Sequence, residues 1–428
     1  YDPRYTDLQS YWTYDLTTKV EIGFLGVYSR NRYDLVPQNR ETELGTFSQA
    51  LRFTVCYEGQ ERDAFETMFG ALNVNVKAKK NLLLKFTTSA FNTHETERFD
   101  ILGQYYLSEL DRDLGSDQFG EVVRNLGVGT FLDHARNQLD ATVYTIGHKG
   151  VLFHDKGKLE WGVEARAESI HDQLSEWTLN DSADFSVPQS IGEDLTLSYS
   201  LKSKLDLEST RATAFVQHTW NWDPDSFGQP HWSFTAGARA HWWSTNGETV
   251  ASPRARLTWH PGWKKQKRDS TIVDRDYRFW FATGVYYQPP FYRELRDRKG
   301  ELNTDLRAQR SIHFLLGMDR LFEIWDRPFK FSAEAYYKLL DDLVPYEVEN
   351  VRIRYYATNN AHGFATGADL KLNGEFIKGI ESWASLGVLS TFEDLEDDYY
   401  YIRLNAAGDT IYPGYTSDQV AVDSIYKQ

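Results

Sequence analysis

Apolar and polar residues alternate with a period of two along much of the chain, a pattern that predicts strands rather than helices. From Lys158 to Glu168, Leu159, Trp161, Val163, Ala165 and Ala167 take one face; Lys158, Glu160, Glu164, Arg166 and Glu168 take the other. Trp232, Phe234, Ala236, Ala238, Ala240 and Trp242 alternate with His231, Ser233, Thr235, Arg239 and His241. Pro253, Ala255, Leu257 and Trp259 alternate with Arg254, Arg256, Thr258 and His260. Phe329, Phe331, Ala333, Ala335 and Tyr337 alternate with Lys330, Ser332, Glu334, Tyr336 and Lys338. In residues 232–242 small Ala residues fill the middle of the apolar face and Trp sits at its two ends. Hydrocarbon on one side and water on the other accounts for that pattern, with aromatic girdles at two bilayer interfaces.

Short connections are expected at Thr17-Thr18, Lys79-Lys80-Asn81, residues 223–229, Asp326-Arg327-Pro328 and residues 377–380. Long ones are expected over residues 31–62, 96–127, 171–207, 289–307 and 341–361. Such a side-to-side difference suits an outer-membrane barrel, although 245–248 is short and 261–276 long against the rule. The pattern gives about fourteen spanning strands, with residues 51–57 and 195–205 assigned to outer loops or strand extensions. The expected fold class is therefore all-β, a transmembrane antiparallel β-barrel. A β-sandwich is the rival reading. The chain opens beside a strand, Gln9–Leu16, with no signal peptide, and ends in GYTSDQVAVDSIYKQ without a closing strand, so further strands are expected outside it.

Composition sharpens the picture. Aromatic residues make up 15% of the chain, yet the mean hydropathy is -0.56, as when apolar side chains are spread thinly over a lipid-facing surface. No apolar run reaches the ~20 residues a membrane-spanning helix needs. A net charge of -15 argues against a nucleic-acid partner. The single cysteine, Cys56, excludes an intramolecular disulfide.

YYQPPFYREL (Tyr286–Leu295), a loop, then RSIHFLLGMDRLF (Arg310–Phe322) resembles the TonB-dependent receptor barrels, in which an aromatic-x-x-Pro strand end precedes a strand with an apolar-Gly pattern. VQHTWNW, FTAGARAHWW and SPRARLTW match the preceding strands in order, and other segments look like the Bacteroidetes branch. The resemblance implies a 22-stranded barrel plugged by an N-terminal domain. Residues 1–428 would supply about fourteen of those strands, with the plug, the TonB box and the closing strands outside this sequence. It further implies outer-membrane localisation, nutrient import driven by the TonB–ExbB–ExbD system, and, in the glycan-importing branch, a surface lipoprotein lid. A siderophore, vitamin, glycan or peptide all fit as cargo. A passive porin and a barrel component of a larger outer-membrane assembly are the rival functions.

Candidate contacts lie among the charges of the polar faces. Arg239, His241, Arg254 and Arg256 could form a basic patch that meets an anionic ligand or acidic plug residues; Glu334 and Lys338 carry the same two readings. No histidines stand at metal-motif spacing, so no cofactor is expected, though His313 could serve as an axial ligand. The run Glu393, Asp394, Glu396, Asp397, Asp398 reads as a Ca²⁺ site or as a solvated acidic loop. Tyr346, Tyr355, Tyr356 and Tyr399–Tyr401 could stack on a ligand or pack together. Without GxSxG or a nucleophile-base set, no enzyme is expected.

Overall fold

A computed structural model describes residues 2–45, 49–180, 196–224, 230–266, 272–274, 276–349, 352–396, 399–404 and 422–427. The chain divides into two compact units: one of residues 1–216, 240–249 and 296–304, the other of residues 217–239, 250–295 and 305–428. Both are antiparallel sheets.

In the first unit the strands are β1 (Asp2–Thr17), β2 (Val20–Leu35), β3 (Arg40–Gly45), β4 (Ala50–Lys79), β5 (Leu82–Leu110), β6 (Val122–His154), β7 (Gly157–Asn180) and most of β8 (Thr196–Pro224). They pair in the order β1-β2-β4-β5-β6-β7-β8, with β3 added to β4. The register explains why the sequence alternates. Tyr14, Ile22, Val74, Phe86, His148 and Val163 form one row across six strands. Trp12, Phe24, Leu72, Thr88, Ile146 and Ala165 form the next, and Ser10, Gly26, Gly70, Ala90, Tyr144 and Ala167 the one after. Side chains directly opposite in an antiparallel pair share a face, so these rows make one continuous apolar surface. It is exposed: Trp12 is 69% accessible, Ile146 65% and Val163 55%.

The apolar surface ends sharply. Two rows further on stand Thr6, Arg30, Glu66, His94, Asp140 and His171. From Val20 to Tyr28 the apolar rows cover ~27 Å along the strand, about 20 Å after a ~40° tilt, close to the ~25 Å lipid-facing band of such barrels. Beyond it the strands continue. The expected long loops over 31–62 and 96–127 are mostly strand, because β2 runs to Leu35, β4 starts at Ala50, and only residues 111–121 separate β5 from β6. Outside the band both faces meet water, so polar residues no longer mark a loop. Cys56 sits half-buried in this extension, not in a loop.

The second unit holds the end of β8, β9 (Pro230–Trp243) apart from its last residues, β10 (Thr249–Trp259), β11 (Lys264–Gln266), β12 (Ile272–Asp274), β13 (Asp276–Gln288), β14 (Gln309–Ile324), β15 (Arg327–Leu343), β16 (Tyr346–Glu349), β17 (Arg352–Tyr355), β18 (Ala361–Ile377), β19 (Ile380–Leu395), β20 (Tyr399–Leu404) and β21 (Val422–Lys427). The order is β8-β9-β10-β13-β14-β15-β18-β19; β11-β12, β16-β17 and β20-β21 are separate hairpins. The long connections at 261–276 and 341–361 thus contain hairpins of their own. Leu257, Phe281, Leu316, Ala335, Ala368 and Val388 form an apolar row here too. Its exposed faces include Leu316 at 62% and Val388 at 64%. No helix of the described residues is long and apolar enough to cross a membrane, which says nothing about strands. Of the closing segment expected as a polar loop, residues 422–427 instead form β21, paired with β20, and residues 414–421 lie outside the described residues.

Candidate functional site

In the second unit, register gathers the charged candidates on the polar face. Arg254 of β10 pairs with Gly284 of β13, Gly284 with His313 of β14, and His313 with Lys338 of β15. One step along, Arg256 pairs with Ala282, Ala282 with Leu315, and Leu315 with Tyr336. The next row holds Thr258, Trp280, Gly317, Glu334 and Asp369.

The cations rest on rings. The Arg254 guanidinium lies 4.8 Å from the Tyr286 ring centre, Arg256 5.4 Å from Trp280, and the Lys338 ammonium 4.9 Å from Tyr336. Tyr286 in turn stacks on His313 at 4.3 Å. Gly284 makes this possible, since a β-carbon there would stand 2.9 Å from Arg254 Cβ and 3.2 Å from the Tyr286 ring. Each cation-ring contact contributes about 0.5–1 kcal/mol where solvent reaches it. N–H groups of these cations that do not point at the ring can donate to an anion.

What these cations lack is acid. Among the described residues no carboxylate lies within ion-pair reach of Arg254, Arg256 or Lys338. The contrast within the same unit is clear: Arg278 pairs with Asp319, Arg307 with Asp342 and Arg310 with Asp341. Glu334 does not neutralise Lys338, because four residues of extended strand separate them by ~14 Å; it faces Asp369 across β18. Arg239 occupies the polar-face set of β9, the strand beside β10. His241 belongs to the first unit, where its Nδ1 lies 3.0 Å from Thr213 Oγ1. The rings of Tyr286, Trp280 and Tyr336 were not singled out from sequence; their alternation with small residues on neighbouring strands was the available signal.

The Tyr286–Leu295 motif is a clamp. Tyr292–Leu295 forms a short 3₁₀ turn in which buried Glu294 accepts the Phe291 N–H at 3.0 Å and the Gln309 side-chain amide at 3.0 Å. Gln309 Oε1 accepts the Val344 N–H at 3.3 Å. Tyr355, which packs edge-on against Phe291 with centroids 5.6 Å apart, also meets Tyr346 at 6.1 Å. The Tyr356 hydroxyl donates to Glu347 at 3.2 Å. These tyrosines therefore pack with one another and with the motif.

In the first unit, residues 296–304 carry the segment that follows. Arg296 forms an ion pair with Asp172 of β7, each side chain 8% exposed. The Ser203 hydroxyl donates to the Gly300 carbonyl at 3.0 Å. Nearby on the polar face, Glu168 accepts from Ser209 at 2.9 Å and Arg211 at 3.0 Å, and Arg211 covers Trp243 at 4.7 Å. Asn137 bridges Glu97 and Glu176 at 2.7 Å each. Of the acidic run, Asp394 and Glu396 approach His362 at 3.9 Å and 3.6 Å; Asp397 and Asp398, and the side chains of Tyr399–Tyr401, lie outside the described residues.

The family model for the β-barrel of TonB-dependent receptor-like proteins matches residues 3–423. The chain belongs to that family. It is thus an outer-membrane β-barrel chain, of a family of receptors and transporters rather than enzymes. Solved structures similar to this receptor chain include the RagAB peptide transporter, 11% identical over 98% of this chain and 56% of that one, TM-score 0.45. The alcaligin outer-membrane receptor FauA from Bordetella pertussis is 13% identical over 95% and 60%, TM-score 0.43. The copper transporter OprC is 12% identical over 92% and 62%, TM-score 0.43. The chain spans 56–62% of the length of these structures. A search by sequence among curated proteins finds no match.

Proposed function

We propose that the whole receptor imports a nutrient across the outer membrane, driven through a plug domain by the TonB–ExbB–ExbD system, and that Arg254, Arg256 and Lys338 accept an anionic group inside the barrel. The observation behind the second part is the set of three ring-supported cations without a carboxylate in reach among the described residues. A plug domain carrying acidic residues would meet this demand at rest; an anionic cargo would meet it in transit. The remainder of the family's 22 strands, and a surface lipoprotein lid, belong to this reading as parts of the parent assembly. A siderophore, vitamin, glycan or peptide remains the cargo class.

The test is a triple replacement, Arg254→Gln, Arg256→Gln and Lys338→Met, in the full-length receptor. Growth on the limiting nutrient is expected to fall at least as far as in a receptor lacking its TonB box, once the nutrient is found by screening a deletion strain. A weakened ligand affinity with an unchanged plug would assign the cations to cargo. A plug that becomes protease-sensitive with unchanged ligand affinity would assign them to the plug. Unchanged uptake, affinity and plug protection would remove the role altogether. Uptake by the deletion strain equal to wild type on every nutrient screened would overturn import itself.

A further inference from the structure

One connection of the second unit folds into a small sheet of its own. β16 and β17 lie between β15 and β18, at the end of the sheet opposite the tight turns at 325–326 and 378–379. In a barrel of this family that is the outer end. Tyr346 stands across from Tyr355 and Val348 from Ile353, so one face of the hairpin is apolar. That face is open: Tyr346 is 54% exposed, Val348 63% and Ile353 52%. A sheet of two strands is only marginally stable in water, and a third strand adds to it.

The backbone supplies a second observation. The Tyr356 N–H donates to the Pro345 carbonyl at 3.0 Å and closes the base of the hairpin. Bonded and unbonded pairs alternate along an antiparallel ladder. Tyr346–Tyr355 and Val348–Ile353 are accordingly the unbonded pairs, and their N–H and C=O groups point out to the two edges. Phe291 packs against Tyr355 on the β17 side. Along β16 no described residue pairs with the backbone of Tyr346 or Val348. The same two residues thus carry the exposed side chains and the open backbone groups. β11–β12, the hairpin at the opposite end, begins on Lys264 and Lys265, the usual guard of a free edge.

We infer that β16 takes up an extended peptide as a third strand, which makes a peptide the cargo; this deepens the import reading and rests on it. The outward groups of Tyr346 and Val348 repeat at ~6.8 Å, two residues of strand, and an extended peptide presents its own groups at the same interval. A sugar or a metal chelate offers no such repeat. Main-chain hydrogen bonds hold the peptide, and its alternate side chains, apolar ones, lie over Tyr346, Val348 and Ile353. Three exposed side chains are well short of the about 20–30 residues that each side of a stable protein interface contributes. The edge therefore suits a short segment rather than a folded partner.

The test incubates the full-length receptor, in detergent micelles, with a pool of octapeptides that alternate branched aliphatic and polar residues. Retained peptides are counted by mass spectrometry. Retention is expected at about tenfold that of the same pool N-methylated at every residue, equivalent to ~1.4 kcal/mol. Val348→Pro removes an outward N–H and spares the ladder of the hairpin itself, so retention is expected to fall to the level of the methylated pool. Val348→Lys keeps the backbone and guards the edge with charge; it is expected to have the same effect and serves if the proline variant does not assemble. Retention indifferent to methylation, or to both substitutions, overturns the proposal and leaves import standing. So does a disulfide joining two receptors through Val348→Cys, which would assign the edge to a second copy. Retention that both substitutions abolish, with the pool feeding wild type and deletion strain alike, keeps the added strand and overturns import.

Discussion

Glycine and aromatic residues in this molecule act as pairs across strands. At Gly317 a β-carbon would lie 2.3 Å from the Trp280 ring, which lies flat over the glycine of the neighbouring strand. The apolar-Gly pattern of β14 is thereby explained by packing: the ring that supports Arg256 needs a strand without a side chain beneath it. Gly317→Val is expected to cost about 1–3 kcal/mol, the usual range for forcing extra carbon into a packed site. Urea unfolding in detergent micelles measures it, and an unchanged midpoint would show that Trp280 does not depend on this seat. Charged pairs outside the band add a pH dependence. Burial opposes the charge on Asp100, but hydrogen bonds from Arg136 and His134 outweigh it and hold the carboxyl below its ordinary value. A depressed acid stabilises the folded state above its unfolded pKa, near 3.9, and loses that contribution as pH falls through the folded value. The stability difference between wild type and Asp100→Asn should therefore be full at neutral pH and vanish in strong acid. A difference that stays constant from neutral pH into strong acid would contradict this account.

At the scale of elements, alternation was legible only where one face met hydrocarbon. From Lys158 to Glu168 every residue was placed on the face the structure gives it, because a slip of one position would bury charge in lipid. The same strand continues to Asn180, but beyond His171 both faces meet water or protein and the period carries no information. The polar-face candidates divided for a related reason. Arg254 and Arg256 follow from pairing neighbouring strands, which the order of elements suggests, whereas Lys338 joins the row of Arg254 only through the register of β13, β14 and β15. The partnership of Arg296 with Asp172 joins residues 124 apart and depends on how a loop folds back, which no local pattern encodes. Arg296→Ala leaves Asp172 buried without a partner and is expected to cost about 3–5 kcal/mol, whereas Arg296→Met with Asp172→Leu should restore most of that loss. Limited proteolysis after Arg298 and Lys299 reports it. Equal cleavage in the two variants would mean that the ion pair does not hold the segment down.

For the molecule as a whole, the decisive quantity is the depth at which each row of the sheet sits in the bilayer. The rows through Ile146 and Glu164 test it because the two residues lie close together on opposite faces of adjoining strands. Ile146 is 65% exposed on the apolar side, three rows from the charged row at Asp140. An arginine there must either remain in hydrocarbon or reach for the interface, at a cost of roughly 2–4 kcal/mol near the bilayer midplane. Glu164→Arg reverses a charge on the polar face, where water solvates it, and is expected to cost far less. Folding of the full-length receptor into vesicles, followed by the shift of the unfolded form on electrophoresis without heating, measures both. Bromine-labelled acyl chains add an independent reading: Trp12 should be quenched strongly, while Trp243, 1% exposed, should be quenched weakly. If Ile146→Arg were tolerated as well as Glu164→Arg, the apolar rows of the first unit would not be facing lipid.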